Sequence, residues 1–185
     1  LWDRQTNSPI MPPLQGHTDW INSLAFSPDN RMLISASADG TVRRWDTVSG
    51  QLIGQPLKTD AENVWSIAFN PNTRSFATGG VDGIIQIWDA DTGESIGTPL
   101  NGHTDIVYGL AYSPDGRLLA SGSGDSTVQL WDTKDYHQIG EPLQDDNDFV
   151  LNVTFSPDGK RLASTGLNGI VDFWDPAASE FLYSI

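Results

Sequence analysis

Ten lysines and arginines against 24 aspartates and glutamates give this 185-residue chain a formal net charge of −14. A surface that acidic repels phosphate backbones, which removes nucleic acid as a general partner. The chain has no cysteine, so neither disulfides nor thiolate zinc sites carry the fold, in keeping with a reducing, cytoplasmic setting. No apolar run nears the roughly 18–20 residues that cross a membrane, so no membrane is expected as partner, and nothing at the start reads as a signal peptide.

Five Trp-Asp dipeptides, opened by Trp2, Trp45, Trp88, Trp131 and Trp174, stand 43 residues apart. A fixed period of that length marks an array of structural repeats. Cutting on it gives four units without internal gaps, at 15–57, 58–100, 101–143 and 144–185. The first 14 residues, LWDRQTNSPIMPPL, align with RWDTVSGQLIGQPL at 44–57. They are expected to form the outer strand of a preceding unit, in a chain that begins inside a repeat.

Within each full unit, short runs of β-formers alternate with turn chemistry. In the third they are VYGLAYS, LLASGS, TVQLWD and HQIGEPL, broken by SPDG, GDS and TKDY. Runs of that length, about ten residues apart and without a helical period, read as four strands, here a to d, in an antiparallel meander. Four such sheets side by side are the blades of one all-β domain, a β-propeller.

Along strand a of blade one, Ile21, Leu24 and Phe26 read as core, but the step from 21 to 24 breaks the two-residue alternation. A β-bulge there would turn residues 20 and 22 together toward the mouth of the central channel. Two tryptophans outside the Trp-Asp set, Trp20 and Trp65, fall at this place. The candidate protein-binding rim is therefore Trp20 and Asn22, then Asn63 and Trp65, Ile106 and Tyr108, and Phe149 and Leu151. Ala38, Val81, Gly124 and Leu167 join it from the b–c turns. Its aromatic and aliphatic make-up is that of interaction hot spots. At the other end, Arg31, Arg74, Arg117 and Lys160 share one register in the a–b turns. Pairing with the turn carboxylates Asp29, Asp115 and Asp158 is the ordinary state of such cations.

Gly-His early in a unit, SPDG in its first turn, Ser-x-x-x-Asp across the second strand and turn, and Trp-Asp closing the third strand together resemble the WD-repeat family. The resemblance covers the whole chain. The phrasing, with IG-x-PL leading into GHTD, is similar to propellers appended to bacterial multidomain signalling proteins. What the family resemblance implies is a hydrogen-bonded quartet in each blade. In blade one it would join His17, Asp39, Ser35 and Trp45, and in blade three His103, Asp125, Ser121 and Trp131. Blade two keeps Thr78, Asp82 and Trp88 but has Asp60 in the histidine's place. Blade four keeps Ser164 and Trp174, with Asn168 and Asp146. An aspartate cannot donate as an imidazole does, so blades two and four are expected to be looser.

Ser, His and Asp are also the members of a hydrolytic triad. A copy in repeat after repeat, with no G-x-S-x-G elbow, reads as structure instead. No enzyme, cofactor or metal site is expected. Propellers of this kind usually close with about seven blades, so four sweep little more than half a circle. The expectation is a longer parent chain that supplies further blades, ahead of a homodimer completing an eight-bladed ring and of a four-bladed ring closing on itself. The expected function is a non-catalytic module that binds a peptide or protein through its loop rim, as the sensor or recruitment part of a larger signalling protein. A constitutive scaffold is the alternative.

Overall fold

The computed structural model describes residues 1–144 and 149–185, and every regular element among them is a β-strand. β1 (Trp2–Asp3) and β2 (Ser8–Pro9) pair as a small antiparallel hairpin. Four four-stranded antiparallel meanders follow. Blade one is β3 (Ile21–Phe26), β4 (Met32–Ser37), β5 (Thr41–Asp46) and β6 (Leu57–Lys58). Blade two is β7 (Val64–Phe69), β8 (Ser75–Gly80), β9 (Ile84–Asp89) and β10 (Ser95–Asn101). Blade three is β11 (Val107–Tyr112), β12 (Leu118–Ser123), β13 (Thr127–Asp132) and β14 (Gln138–Gln144). Blade four is β15 (Val150–Phe155), β16 (Leu162–Gly166), β17 (Val171–Asp175) and β18 (Glu180–Ser184). The first strands β3, β7, β11 and β15 contact one another in chain order, so the sheets stand side by side as propeller blades.

The recurring SPD turn has a local cause. Ser27 Oγ donates to Asp29 Oδ1 at 2.6 Å and accepts the Met32 N–H at 2.9 Å, while Asp29 Oδ1 accepts the Arg31 N–H. Ser113 with Asp115 and Ser156 with Asp158 repeat the device. The next residue lies at left-handed φ, as Asn30 (58°), Gly116 (67°) and Gly159 (70°) do, where only glycine and asparagine sit without much strain. Each first strand is bulged. The register slips between Ile21 and Ser23, Val64 and Ser66, Val107 and Gly109, and Val150 and Asn152.

The core lies between blades. One apolar cluster joins Met32, Ile34, Ala36 and Val42 of blade one to Val64, Ile67, Phe76 and Trp88 of blade two. A second joins Ala77, Ile85 and Ile87 to Val107, Leu110, Leu119 and Trp131, and a third joins Ala120, Val128 and Leu130 to Val150, Val153, Leu162 and Trp174. Blades two, three and four thus each bury the first strand and the Trp-Asp tryptophan against the blade before.

This corrects one expectation of the sequence. Ile21, Leu24 and Phe26 are not core but 52 %, 60 % and 50 % exposed. Their counterparts Val64, Val107 and Val150 are sealed by a preceding blade, and among the described residues no blade stands in front of blade one. The arc is open.

Candidate interaction surface

In blade one His17 Nδ1 lies 2.9 Å from Asp39 Oδ2 and Nε2 lies 2.7 Å from Ser35 Oγ, which accepts the Trp45 indole N–H at 2.9 Å. In blade three His103, Asp125, Ser121 and Trp131 repeat the chain at the same three distances. A neutral imidazole protonated on Nδ1 satisfies every member: indole to hydroxyl, hydroxyl to Nε2, Nδ1–H to carboxylate. Burial holds the His103 pKa below its ordinary value, against the pull of Asp125. For Asp125 burial acts upward, yet the Thr127 hydroxyl, the Thr104 N–H and His103 together hold its carboxyl below the usual range. Asp39 is likewise depressed: the Thr41 hydroxyl, the Thr18 N–H and His17 outweigh its burial. The quartet pins the d–a loop to the b–c turn across the blade, which is scaffold work.

Blade two has the Trp88-to-Thr78 bond, at 2.9 Å, but not the rest. Among the described residues the Asp82 carboxylate accepts only from the Ile84 N–H, and Asp60 is exposed. In blade four Trp174 donates to Ser164 at 2.9 Å and Asn168 accepts from the Ile170 N–H. Asp146 lies outside the described residues.

The bulges bring the rim together. Tyr108 meets Trp65 edge to face at 5.3 Å between ring centroids and Phe149 at 6.5 Å, so three aromatics from three blades form one row. Trp20 stands at the open end, 77 % exposed, and Leu167 is 66 % exposed. Ile106, Leu151 and Val81 are half-buried beside them. Asn22 is partly spent on the scaffold, donating to Asn63 Oδ1 at 2.8 Å and to the Val64 carbonyl at 3.0 Å. The indole N–H of Trp65 is out of solvent and has no hydrogen-bond partner among the described residues.

The cations of the opposite end do not act as one ring. Arg74 is held by Asp29 of the neighbouring blade (2.8 Å) and by Asp91 (2.7 Å), whereas Arg117 is 3.9 Å from Asp115 and exposed. Two groups escaped the sequence reading because their partners are distant in the chain or fall in a single irregular turn. Arg44, 3 % exposed, donates to the carbonyls of Ala90 and Asp91. Asp132, Asp135 and His137 bring three potential metal ligands within 4.8 Å of one another on an exposed turn, where Asp135 raises the His137 pKa.

Repeated meanders, each buried against the last and tied by recurring polar chains, define a β-propeller. The model of the "WD domain, G-beta repeat" matches residues 8–46, 52–89, 93–132 and 140–175, well over half of the sequence, and the chain belongs to the WD-repeat family. The last three matched segments each run from the outer strand of one blade through the third strand of the next. That family is in general a non-enzymatic protein-interaction module.

Among curated relatives, 46 residues are 41 % identical to human WD repeat and SOCS box-containing protein 1, a quarter of this chain and 11 % of that protein. Nuclear distribution protein PAC1 of Arthroderma benhamiae is 44 % identical over 46 residues, 25 % of this chain and 10 % of its own length. Human striatin is 46 % identical over 46 residues, 25 % of this chain and 6 % of its own. The matched stretch is thus about a tenth or less of each relative. All three are eukaryotic, and none supports the likeness to bacterial multidomain signalling proteins.

Proposed function

We propose that the chain is a non-catalytic interaction module that holds a peptide or protein on its bulged rim. The observation that carries this reading is the aromatic row Trp65–Tyr108–Phe149 with the exposed Trp20 beside it. Rigid aromatics present large apolar area at low entropic cost. The finer role is that of the sensor or recruitment part of a larger signalling protein, in a reducing compartment such as the cytoplasm.

Trp20→Ala tests the rim, because a side chain this exposed contributes little to packing. Affinity capture with the wild-type chain and the variant, alongside thermal unfolding of both, should show captured protein lost at unchanged Tm. Equal capture by both would overturn the reading.

A second reading is favoured by a different observation, the exposed face of Ile21, Leu24 and Phe26. It is a constitutive assembly subunit, in which further blades of a longer chain or a second copy cover that face. Partners that come and go with conditions favour recruitment, and permanent ones favour assembly.

A further inference from the structure

A cavity of about 270 Å³ lies in blade two, lined by Thr78, Asp82, Ile84, Gln86, Trp88 and the loop from Lys58 to Ala61. In blade three the imidazole of His103 is bonded by Asp125, Ser121, Thr127 and Gln129. The blade-two residues at those four positions are Asp82, Thr78, Ile84 and Gln86, and all four face the cavity. The space is where a ring sits in the neighbouring blades.

The loop has left it for a steric reason. A β-carbon at Gly102 would come within 2.3 Å of Gln129 Oε1 and 2.9 Å of the Trp131 indole, so a larger residue on that path must displace the Gln129 side chain and press on the indole. Blade two has Thr59 there, and its hydroxyl instead faces the carbonyls of Gly40 and Ala61, at 3.2 and 2.9 Å. What remains behind keeps its polarity. Thr78, 3 % exposed, accepts from Trp88 Nε1 and among the described residues donates only over a long 3.4 Å to the Gln86 carbonyl. Asp82 has none of the histidine, threonine-hydroxyl and loop N–H donors that Asp39 and Asp125 enjoy.

We propose that this cavity binds a neutral imidazole group, or a closely similar planar azole. One ring N–H donates to the Asp82 carboxylate, the other ring nitrogen accepts from the Thr78 hydroxyl, and the Trp88 indole forms the wall. A space left by a missing side chain accepts the missing fragment when its walls retain their shape and chemistry. The group arrives on a free small molecule or as a histidine of a partner chain. The site is separate from the aromatic rim and does not depend on it.

Imidazole titrated into the labelled chain at pH 8, followed by the indole N–H resonances in NMR, is the test. Trp88 should shift saturably, with half-saturation at roughly millimolar ligand, while Trp45 and Trp131 stay in place. The double variant Thr59→Gly/Asp60→His, which supplies its own ring, should not respond, and Asp82→Asn should weaken the response about tenfold. Trp20→Ala should leave the titration unchanged. A parallel titration with acetyl-Gly-His-Thr-amide assigns the source: tighter binding than imidazole points to a partner's histidine, equal binding to a free azole. Absence of a saturable Trp88 shift with either ligand, an equal shift with ammonium chloride, or a full response in the double variant would overturn the proposal.

Discussion

A β-carbon built on Gly79 would lie 2.6 Å from Cγ1 of Val107. Gly122 stands in the same relation to Val150, again at 2.6 Å. Blades two and three therefore each offer the next blade a notch, and the first strand of that neighbour plugs it with a fully buried valine, Val107 or Val150. Gly79→Val overfills the seam and should cost about 1–3 kcal/mol, read as a lower urea midpoint. The double variant Gly79→Val/Val107→Ala should recover part of the loss, because the two positions share one space. Additive losses would show that the seam does not couple them.

The notch is missing where blade four faces outward. The positions of Ala36, Gly79 and Gly122 are followed there by Thr165, and the residue that plugs it in blade one is Ile21. Two copies meeting through these faces would set a branched side chain against a branched side chain. Thr165→Gly should therefore tighten any self-association in sedimentation velocity, and Leu24→Asp should abolish it by placing a charge in the seam. Identical sedimentation of all three proteins at high concentration would remove these faces as a self-interface.

The blade-three quartet makes stability depend on pH in a definite direction. Burial depresses the pKa of His103 from its ordinary 6.5, so the unfolded chain takes up a proton first as pH falls. Stability then declines from about pH 6.5 downward and is fully present above it. Asp125, also depressed, adds a second loss only in the acidic carboxylate range. Urea unfolding between pH 8 and 5 should show the first decline, and His103→Asn should flatten it. At pH 8 that variant should already lose about 1–3 kcal/mol, since it leaves Ser121 and Asp125 short of a partner. An unchanged slope in His103→Asn would place the titrating group elsewhere.

The meanders are legible in the chain because their causes are local. The 43-residue Trp-Asp period, the SPD turn and the three-residue step in each first strand all act within one unit. The bulge in each first strand is legible for the same reason, since the register shift between Ile21 and Ser23 is written into the spacing of Ile21 and Leu24. What depends on a neighbour is not. Ile21, Leu24 and Phe26 follow the same pattern as Val64, Ile67 and Phe69, and it is the blade in front that buries Val64 and Ile67 and partly covers Phe69. Asn22 reads as a free rim residue until Asn63 is seen to hold it. The blade-two cavity follows from a glycine replaced by Thr59, whose consequence needs the closeness of strand c to be known.

Arg44 is the sharpest departure from the repeat, since Ile87 and Leu130 occupy its position in blades two and three. Its guanidinium donates from Nη1 to the carbonyls of Ala90 and Asp91, both at 3.0 Å, and a β-carbon at Gly93 would lie 2.6 Å from Nη2. Burial lowers its pKa, against the attraction of Asp89 and Asp91, and its Nε has no hydrogen-bond partner among the described residues. A buried cation so incompletely paired costs nearly as much to desolvate as its contacts return. Arg44→Leu, which restores the residue type of the other blades, should fall within about 1 kcal/mol of the wild type. Arg44→Ala instead leaves an unfilled seam and should lose about 2–4 kcal/mol. Urea unfolding of the pair separates volume from charge: equal losses in Leu and Ala would mean that the carbonyl bonds, not the packing, hold blade one to blade two at this point.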